Sequence, residues 1–483
     1  MLYFRKIVLL SLTATYIILC PLLISYAFGR ILKPGAASDS AGLIFLSTNP
    51  PGARIYVEGR LFSERTPAAL RGMLPGTYDV EVSLNGYKPW HTKIRAFPKL
   101  ASVFDKILLA PESWKIKELS AEPFRELISL PESRFFILNK GSRLGDYYSF
   151  DSKDAEMNPF VRPGSNLAQF EVVSLYQVAG SSRMILQARD SREEKYFLVD
   201  QEKGYVDVKD ISRFFPDKFE HILWDPEIPD YLFTFKKGSL SRIDLSGYSQ
   251  GENYLQGLKG YGLFDQVIYV LKDINTLLRL DYERGNQSVI FDDPILGNFL
   301  FGREDFFQVK PLDSQIIFFI GTKGRLVSNL APNRWVEEGL RGLKFHRQTK
   351  RALFWIKDLA AVIDYRPLFL AQATAIKNTL PDRYSFYNKG RDITQGFWAY
   401  QGAYVVLADF DKVFLFELKD QGESFPNEVV KISSGSNVHY YESSGKLYYL
   451  APQSNKLNCL EIVAGVSKQA LSFREYLSGK NKF

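Results

Sequence analysis

The sequence predicts an all-β protein carried behind an N-terminal transmembrane helix, and three observations predict it. Aromatic residues make up 14% of the chain, with 27 Tyr and 37 Phe, and such residues fit the half-buried pleated surface of a sheet. From about residue 121 onward, pairs of short apolar runs joined by polar turns recur at a regular spacing. Residues Ile7 to Phe28, by contrast, form one uncharged run directly after Arg5-Lys6.

That run, IVLLSLTATYIILCPLLISYAF, is the first element. About 22 helical residues at about 1.5 Å each span a hydrocarbon core of about 30 Å. A cleaved signal peptide with a small-residue site at Ser25-Tyr26-Ala27 is the alternative, but the apolar region exceeds the roughly 7 to 15 residues typical of one. Pro21 lacks an N–H and kinks the helix. Arg5 and Lys6 on one side face Arg30 and Lys33 on the other, so charge alone leaves the orientation balanced. Residues 29–41, with Pro34, Gly35, Ala36, Ala37 and Ser38, read as a short tether.

The next stretch reads as a small β-domain. Pro50, Pro51 and Gly52 turn the chain into an extended run from Arg54 to Glu58, in which Ile55 and Val57 alternate with Arg54, Tyr56 and Glu58. Gly59 ends that strand. Pro75-Gly76 suits a type II turn, and a strand follows with Tyr78, Val80, Val82 and Leu84 on one face and Asp79, Glu81 and Ser83 on the other. Asn85-Gly86 predicts a type I′ hairpin, with Tyr87 and Trp90 opening the return strand.

These residues resemble the PEGA domain, a small β-sandwich of bacterial and archaeal surface-associated proteins. The resemblance covers roughly Gly42 to Ala110. It rests on Pro50, Gly52 and Ala53, on Val57-Glu58-Gly59, on Thr66-Pro67, on Leu74-Pro75-Gly76-Thr77-Tyr78, and on Gly86-Tyr87. Pro51 stands where the motif has Glu, and no Gly precedes Thr-Pro, the loop reading Arg60 to Arg65. The resemblance implies a surface location with the N-terminus inside and the bulk outside. It also implies a place behind a membrane anchor and beside larger repeat domains, with binding or scaffolding as the work.

A linker at residues 111–120 leads into a repeat domain at 121–483. Hairpin units open near Arg134, Arg183, Asp230, Gln266, Gln315, Arg351, Ala403 and Lys446. Their spacing of roughly 36 to 52 residues is that of a four-stranded propeller blade, so seven or eight blades are expected. Three units show a preceding strand, in HILWDPEIPDYLFTF, LKFHRQTKRALFWI and VHYYESSGKLYYL. The pattern resembles degenerate β-propeller repeats of bacterial secreted proteins, although Trp224-Asp225 is a single instance of the Trp-Asp signature. Blades stacked round a ring bury faces that one hairpin sheet leaves open. A large β-sandwich, or two smaller β-domains, is the alternative architecture.

Chemistry is sparse. The net charge of +7 is the small difference between 61 basic and 54 acidic residues that interleave throughout, so it reads as a solubility feature. Cys20 and Cys459 are too few for a zinc site, and Cys20 lies in the apolar run. His91, His221, His346 and His439 are scattered without metal-ligand spacing, and each reads as a structural histidine. GxSxG, HExxH, P-loop and kinase signatures are absent. GLKGYG at 257–262 precedes a strand and reads as a loop. Asp292-Asp293, Glu304-Asp305 and Glu337-Glu338 read as acidic turns. One stretch mixes aromatic and basic residues: Arg383, Tyr384, Phe386, Tyr387, Lys389 and Arg391 would suit sugar rings or anions, but alternate as a blade strand also would.

The sequence therefore predicts a membrane-anchored, non-catalytic bacterial surface protein. No cofactor, metal or nucleic acid is expected, and its partners would be the membrane through residues 7–28 and a cell-envelope protein, glycan or wall polymer bound by the propeller. The alternative is an extracytoplasmic hydrolase of glycans or peptides. A sensory ectodomain is a weaker third reading, because only Met1 to Lys6 precede the apolar run.

Overall fold

The computed structural model describes residues 15, 16, 19, 20, 41–463 and 472–478. Within 41–463 it leaves out 163, 178–180, 192, 202–205, 216–218, 220, 225–227, 229, 247–248, 274, 282–286, 293–305, 313–315, 330–335, 367–381 and 419–425. The expected membrane helix and tether lie almost wholly outside the described residues, of which 15, 16, 19 and 20 are helical. Among the described residues no helix is long and apolar enough to cross a membrane. The chain divides into two units, one of residues 1–115 with 461–483 and one of residues 116–460.

The first unit is a two-layer sandwich. Strands β1 (Gly42–Asn49), β4 (Ala68–Met73) and β7 (Ala101–Leu108) form one sheet, with β1 central and parallel to β7. Strands β2 (Arg54–Val57), β3 (Arg60–Arg65), β5 (Gly76–Ser83) and β6 (Trp90–Ala96) form the other. Ile44, Leu46 and Leu70 from the first sheet meet Ile55, Val80, Val82 and Ile94 from the second in one core. On its far face β1 packs Phe45 against Phe473 and Tyr476 of a short helix, Phe473–Leu477, with centroids 5.0 Å apart.

Three local expectations change here. Gly76 opens β5 without a positive φ, because β4 and β5 belong to different sheets and Pro75-Gly76 makes a corner between them. Gly86 takes a φ of 80° while Asn85 does not take the left-handed conformation, and the Tyr87 N–H reaches the Leu84 carbonyl at 3.0 Å. This is a type II arrangement, which splays the strands, so pairing of β5 with β6 starts only at Val82–Trp90. Arg60 to Arg65, read as a loop, is the strand β3, antiparallel to β2. The motif residues are knitted together: Thr66 Oγ1 accepts the Ala53 N–H at 3.0 Å and lies 2.6 Å from Thr48 Oγ1, and the Thr66 carbonyl accepts the Gly52 N–H.

The second unit consists of eight four-stranded blades in chain order, each antiparallel within itself, with the fourth and fifth joined edge to edge in one eight-stranded sheet. Blades 1, 2 and 3 occupy residues 126–159, 171–210 and 221–255, blades 4 and 5 occupy 260–292 and 307–337, and blades 6 and 7 occupy 342–387 and 393–431. Blade 8 takes three strands from residues 439–461 and its outer strand, β8 (Ile116–Pro123), from the other end of the unit. Strand Lys456–Glu461 pairs antiparallel with β8, Leu460 opposite Ile116. The expected linker at 111–120 is thus partly a blade strand, and residues 461–483 group with the sandwich unit.

All eight sequence units are the second and third strands of successive blades. Their apolar side chains face the neighbouring blade, so each core cluster is shared by a pair. Phe135 and Ile137 meet Met184 and Phe197 across blades 1 and 2; Ile185 meets Leu232 across 2 and 3; and Phe233 meets Ile268 across 3 and 4. Leu271 meets Phe319 across 4 and 5, Phe318 meets Phe354 across 5 and 6, and Leu353 meets Val405 across 6 and 7. Blades 7 and 8 touch through Phe397 and Tyr440 at 6.2 Å. Blades 8 and 1 close the circle through Tyr448, Leu457, Phe136 and Phe150. This is an eight-bladed propeller.

Candidate functional site

The first strand of each blade is the innermost, since first strands approach one another round the ring. Blades 4 and 5 come closest, where Gly260–Phe264 pairs in parallel with Phe307–Pro311. Only glycine permits this, because a Cβ on Gly262 would lie 1.6 Å from the Val309 carbonyl oxygen. Within GLKGYG, residues 257–259 form the expected loop, while Gly260, Tyr261 and Gly262 already belong to a strand at a close backbone approach.

Alternation along the inner strands decides what faces the interior. In blade 5, Phe307 and Val309 pack back on blade 4, which turns Gln308 and Lys310 to the opposite face. In blade 6, Leu343 packs back on blade 5, which turns Lys344 toward blade 7. There the Lys344 ammonium sits 3.8 Å from the Phe397 ring centroid, while the Lys344 carbonyl accepts the Trp398 Nε1–H at 3.0 Å. Both residues are half-buried overall, and protein atoms surround their amines.

His439, on the inner strand of blade 8, is 1% exposed. Its ring lies 4.9 Å from that of Phe136, and its Nδ1 is 3.1 Å from Ser129 Oγ of blade 1. Its Nε2 has no hydrogen-bond partner. Glu132, exposed in a turn of blade 1 at a φ of 56°, completes an arc of charge.

These groups feel one another. Burial pushes Lys344 down to about 7, Glu132 opposing and Lys310 adding to the effect. Burial likewise lowers Lys310, with Glu132 opposing. His439 is pushed to about 3 by burial and then by the charge of Lys344, the Ser133 carbonyl acting the other way. Burial disfavours each positive charge, and two amines near one carboxylate leave an excess of cation.

Two recesses lie elsewhere on the blades. A cavity of about 200 Å³ is lined by Tyr176, His221, Leu223, Phe306, Gln308 and Thr322, and its Gln308 shares a strand face with Lys310. A more open, polar hollow between blades 1 and 2 holds Arg143, Glu171, Arg189 and Asp190, with Arg189 and Glu171 already paired at 3.2 Å.

The mixed aromatic and basic stretch falls on and just after the outer strand of blade 6, Asp382–Tyr387. Arg383 pairs with Glu337 and lies over the Phe354 ring. Phe386 is buried, Tyr384 and Tyr387 pack in the blade 6–7 core, and the Tyr387 hydroxyl donates to Asp409 at 2.8 Å. Arg391 covers the Phe410 ring at 3.9 Å, and Lys389 is exposed. The aromatic faces are thus spent on packing between blades. His91 contacts Asp79, His221 stacks on Phe306 at 4.0 Å, and His346 accepts from Thr349. Glu337 and Glu338 pair with Arg383 and Arg325, while the Asp292 side chain, Asp293, Glu304 and Asp305 lie outside the described residues. Sequence reasoning missed Lys310 and Lys344, whose one signal is a lone lysine at an alternating position of the short apolar segments FQVKP and GLKFH.

Residues 41–103 match the family model described as PEGA domain. No curated protein matches the chain. Among solved structures, the β-propeller domain of Myceliophteria thermophila Cps50 (Swd1) is 12% identical, with a TM-score of 0.40 over 73% of this chain and 99% of that one. Kuenenia stuttgartiensis hydrazine synthase is 9% identical, with a TM-score of 0.36 over 71% and 96%. PorZ, described as a surface component of the type-IX secretion system of Porphyromonas gingivalis, is 14% identical, with a TM-score of 0.36 over 69% and 42%. Likenesses of this strength carry no functional argument, and the propeller stands on its own sheet order. The chain thus carries a PEGA domain at residues 41–103, ahead of an eight-bladed β-propeller.

Proposed function

We propose that the chain is a membrane-anchored, non-catalytic surface protein whose propeller binds or scaffolds a cell-envelope component, whether protein, glycan or wall polymer. The observation that carries this reading is the interior arc: rigid inner strands from blades 5, 6 and 8 hold Lys310, Lys344 and His439 at fixed positions, with Glu132 beside them. Fixed polar groups in a concave, mostly apolar wall are what recognition needs. A glycosidase working there would need two carboxylates, and among the described residues the arc brings one, Glu132.

The uncharged run at residues 7–28 supports the anchor, and the PEGA domain supports an extracytoplasmic bulk. Protease added to intact cells tests the location, since digestion of the propeller is expected and full protection would overturn it. Co-sedimentation of the detergent-solubilised chain with insoluble wall material, at low and raised salt, tests the binding. Pelleting that weakens with salt is the expected result. If nothing pellets at either salt, wall polymer is eliminated as the ligand, and crosslinking at the cell surface is left to find a protein one.

A further inference from the structure

We infer that the interior of the propeller is an anion-binding site in which Lys310 and Lys344 together receive one carboxylate or phosphate group of the bound envelope component, with His439 Nε2 on the same wall. The inference deepens the proposed binding role and rests on it.

Three features converge. Two amines project from adjacent inner strands on the faces turned away from their own packing cores. Lys344 is held over the Phe397 ring, which steadies the cation without neutralising it. His439, almost wholly buried, presents a ring nitrogen that no protein atom satisfies, a cost that proteins seldom accept without a partner. The titratable and charged groups that act on Lys344 are Lys310 and Glu132. Glu132 is exposed at a turn, so its carboxylate offsets part of the cationic excess and leaves the remainder to a ligand.

Such a site has a built-in pH response. With Lys344 titrating near 7, an entering anion restores its proton, so binding takes up protons at neutral pH and weakens in alkali. Acetate and dimethyl phosphate, both monoanions at pH 6 and at pH 8.5, are the probes. Calorimetric titration of the full chain in detergent should show one of them binding roughly 30-fold more tightly at pH 6 than at pH 8.5, following the protonated fraction of Lys344. Preference for dimethyl phosphate marks a phosphodiester polymer as the source, and preference for acetate a uronate or acidic peptide.

A Lys310→Met/Lys344→Met variant should lose the binding heat while its melting temperature holds or rises, since two desolvated amines are gone. Lys431→Met, on the exposed outer edge of blade 7, should leave the heat unchanged. The single variant Lys344→Gln, expected to weaken binding and flatten its pH dependence, serves if the double variant does not fold. Failure of both probes at pH 6, equal heats for wild type and the double variant, or affinity independent of pH would each overturn the site. Wall pelleting by the wild-type chain without anion heat would overturn the interior site and leave the envelope reading standing.

Discussion

At the scale of single residues, buried charge dominates what can be measured. His439 is neutral in the fold, with its pKa lowered from 6.5 to about 3. The unfolded chain therefore binds the extra proton below about 6.5, and stability falls with pH from there down toward 3. The slope is about 1.4 kcal/mol per unit. His439→Gln should shrink the loss of unfolding free energy between pH 6.5 and pH 5 by about 2 kcal/mol, as read by denaturant titration at both values. A second test concerns Arg351 and Asp364, paired at 3.3 Å with each side chain 6% exposed. Burial alone would raise the Asp364 carboxyl, but hydrogen bonds from Arg366 and the charges of Arg366 and Arg351 hold it below the usual carboxylate range. Removing the carboxylate takes a partner from both Arg351 and Arg366, whereas removing Arg351 leaves the carboxylate one of its two cations. Asp364→Asn should thus destabilise by about 3 kcal/mol, and Arg351→Met by about 1, because Arg366 still serves the carboxylate. Neither lysine of the interior arc was legible in sequence. A lysine in a strand is ordinarily a solvated one, and only the packing of Val309 and Leu343 on the preceding blade, with the burial of both amines, sets these two apart.

At the scale of elements, the hairpin units were legible because their second and third strands are buried on both faces and so read as continuous apolar runs. Phe135–Asn139 and Arg351–Trp355 are buried at every position. Most fourth strands were not legible, the exception being Asp382–Tyr387, whose aromatic alternation reads as a blade strand. Glu156–Pro159 and Asp207–Asp210 are short and polar, as edge strands are when they avoid pairing with other chains, and that composition is indistinguishable from a loop. Turn chemistry misled in the sandwich for a related reason. Pro75-Gly76 and Asn85-Gly86 have the residues of tight turns, but sheet membership, which is not local, decided their geometry. The glycines of the inner strand give the sharpest test. Gly262→Ala places a methyl against the Val309 carbonyl and must part blades 4 and 5. A loss of about 3 kcal/mol or more is expected, against about 1 for Gly257→Ala, which has a positive φ but open space. Thermal unfolding of the two variants side by side decides it.

At the scale of the whole propeller, closure depends on β8. Deleting residues 116–123 removes the outer strand of blade 8 and with it the Ser120 hydroxyl that accepts the Leu457 N–H at 2.9 Å. Calorimetry of that variant should show a melting transition that is lower and broader than the wild type, because blades 8 and 1 then end an open array. An unchanged single transition would mean that the shared core around Phe136 and Tyr448 closes the ring unaided. No local pattern announces such a pairing, since its two strands lie far apart in the sequence, and the same holds for the C-terminal helix against Phe45. The separation also sets a timetable for the growing chain. Ser120 and Leu457 are 337 residues apart, and at 5 to 20 residues per second the ribosome needs roughly 20 to 70 s to deliver the second after the first. Throughout that interval β8 lacks the strand it pairs with in the finished fold, so a chaperone that shields nascent edges has its opportunity between synthesis of the sandwich and of the last blade.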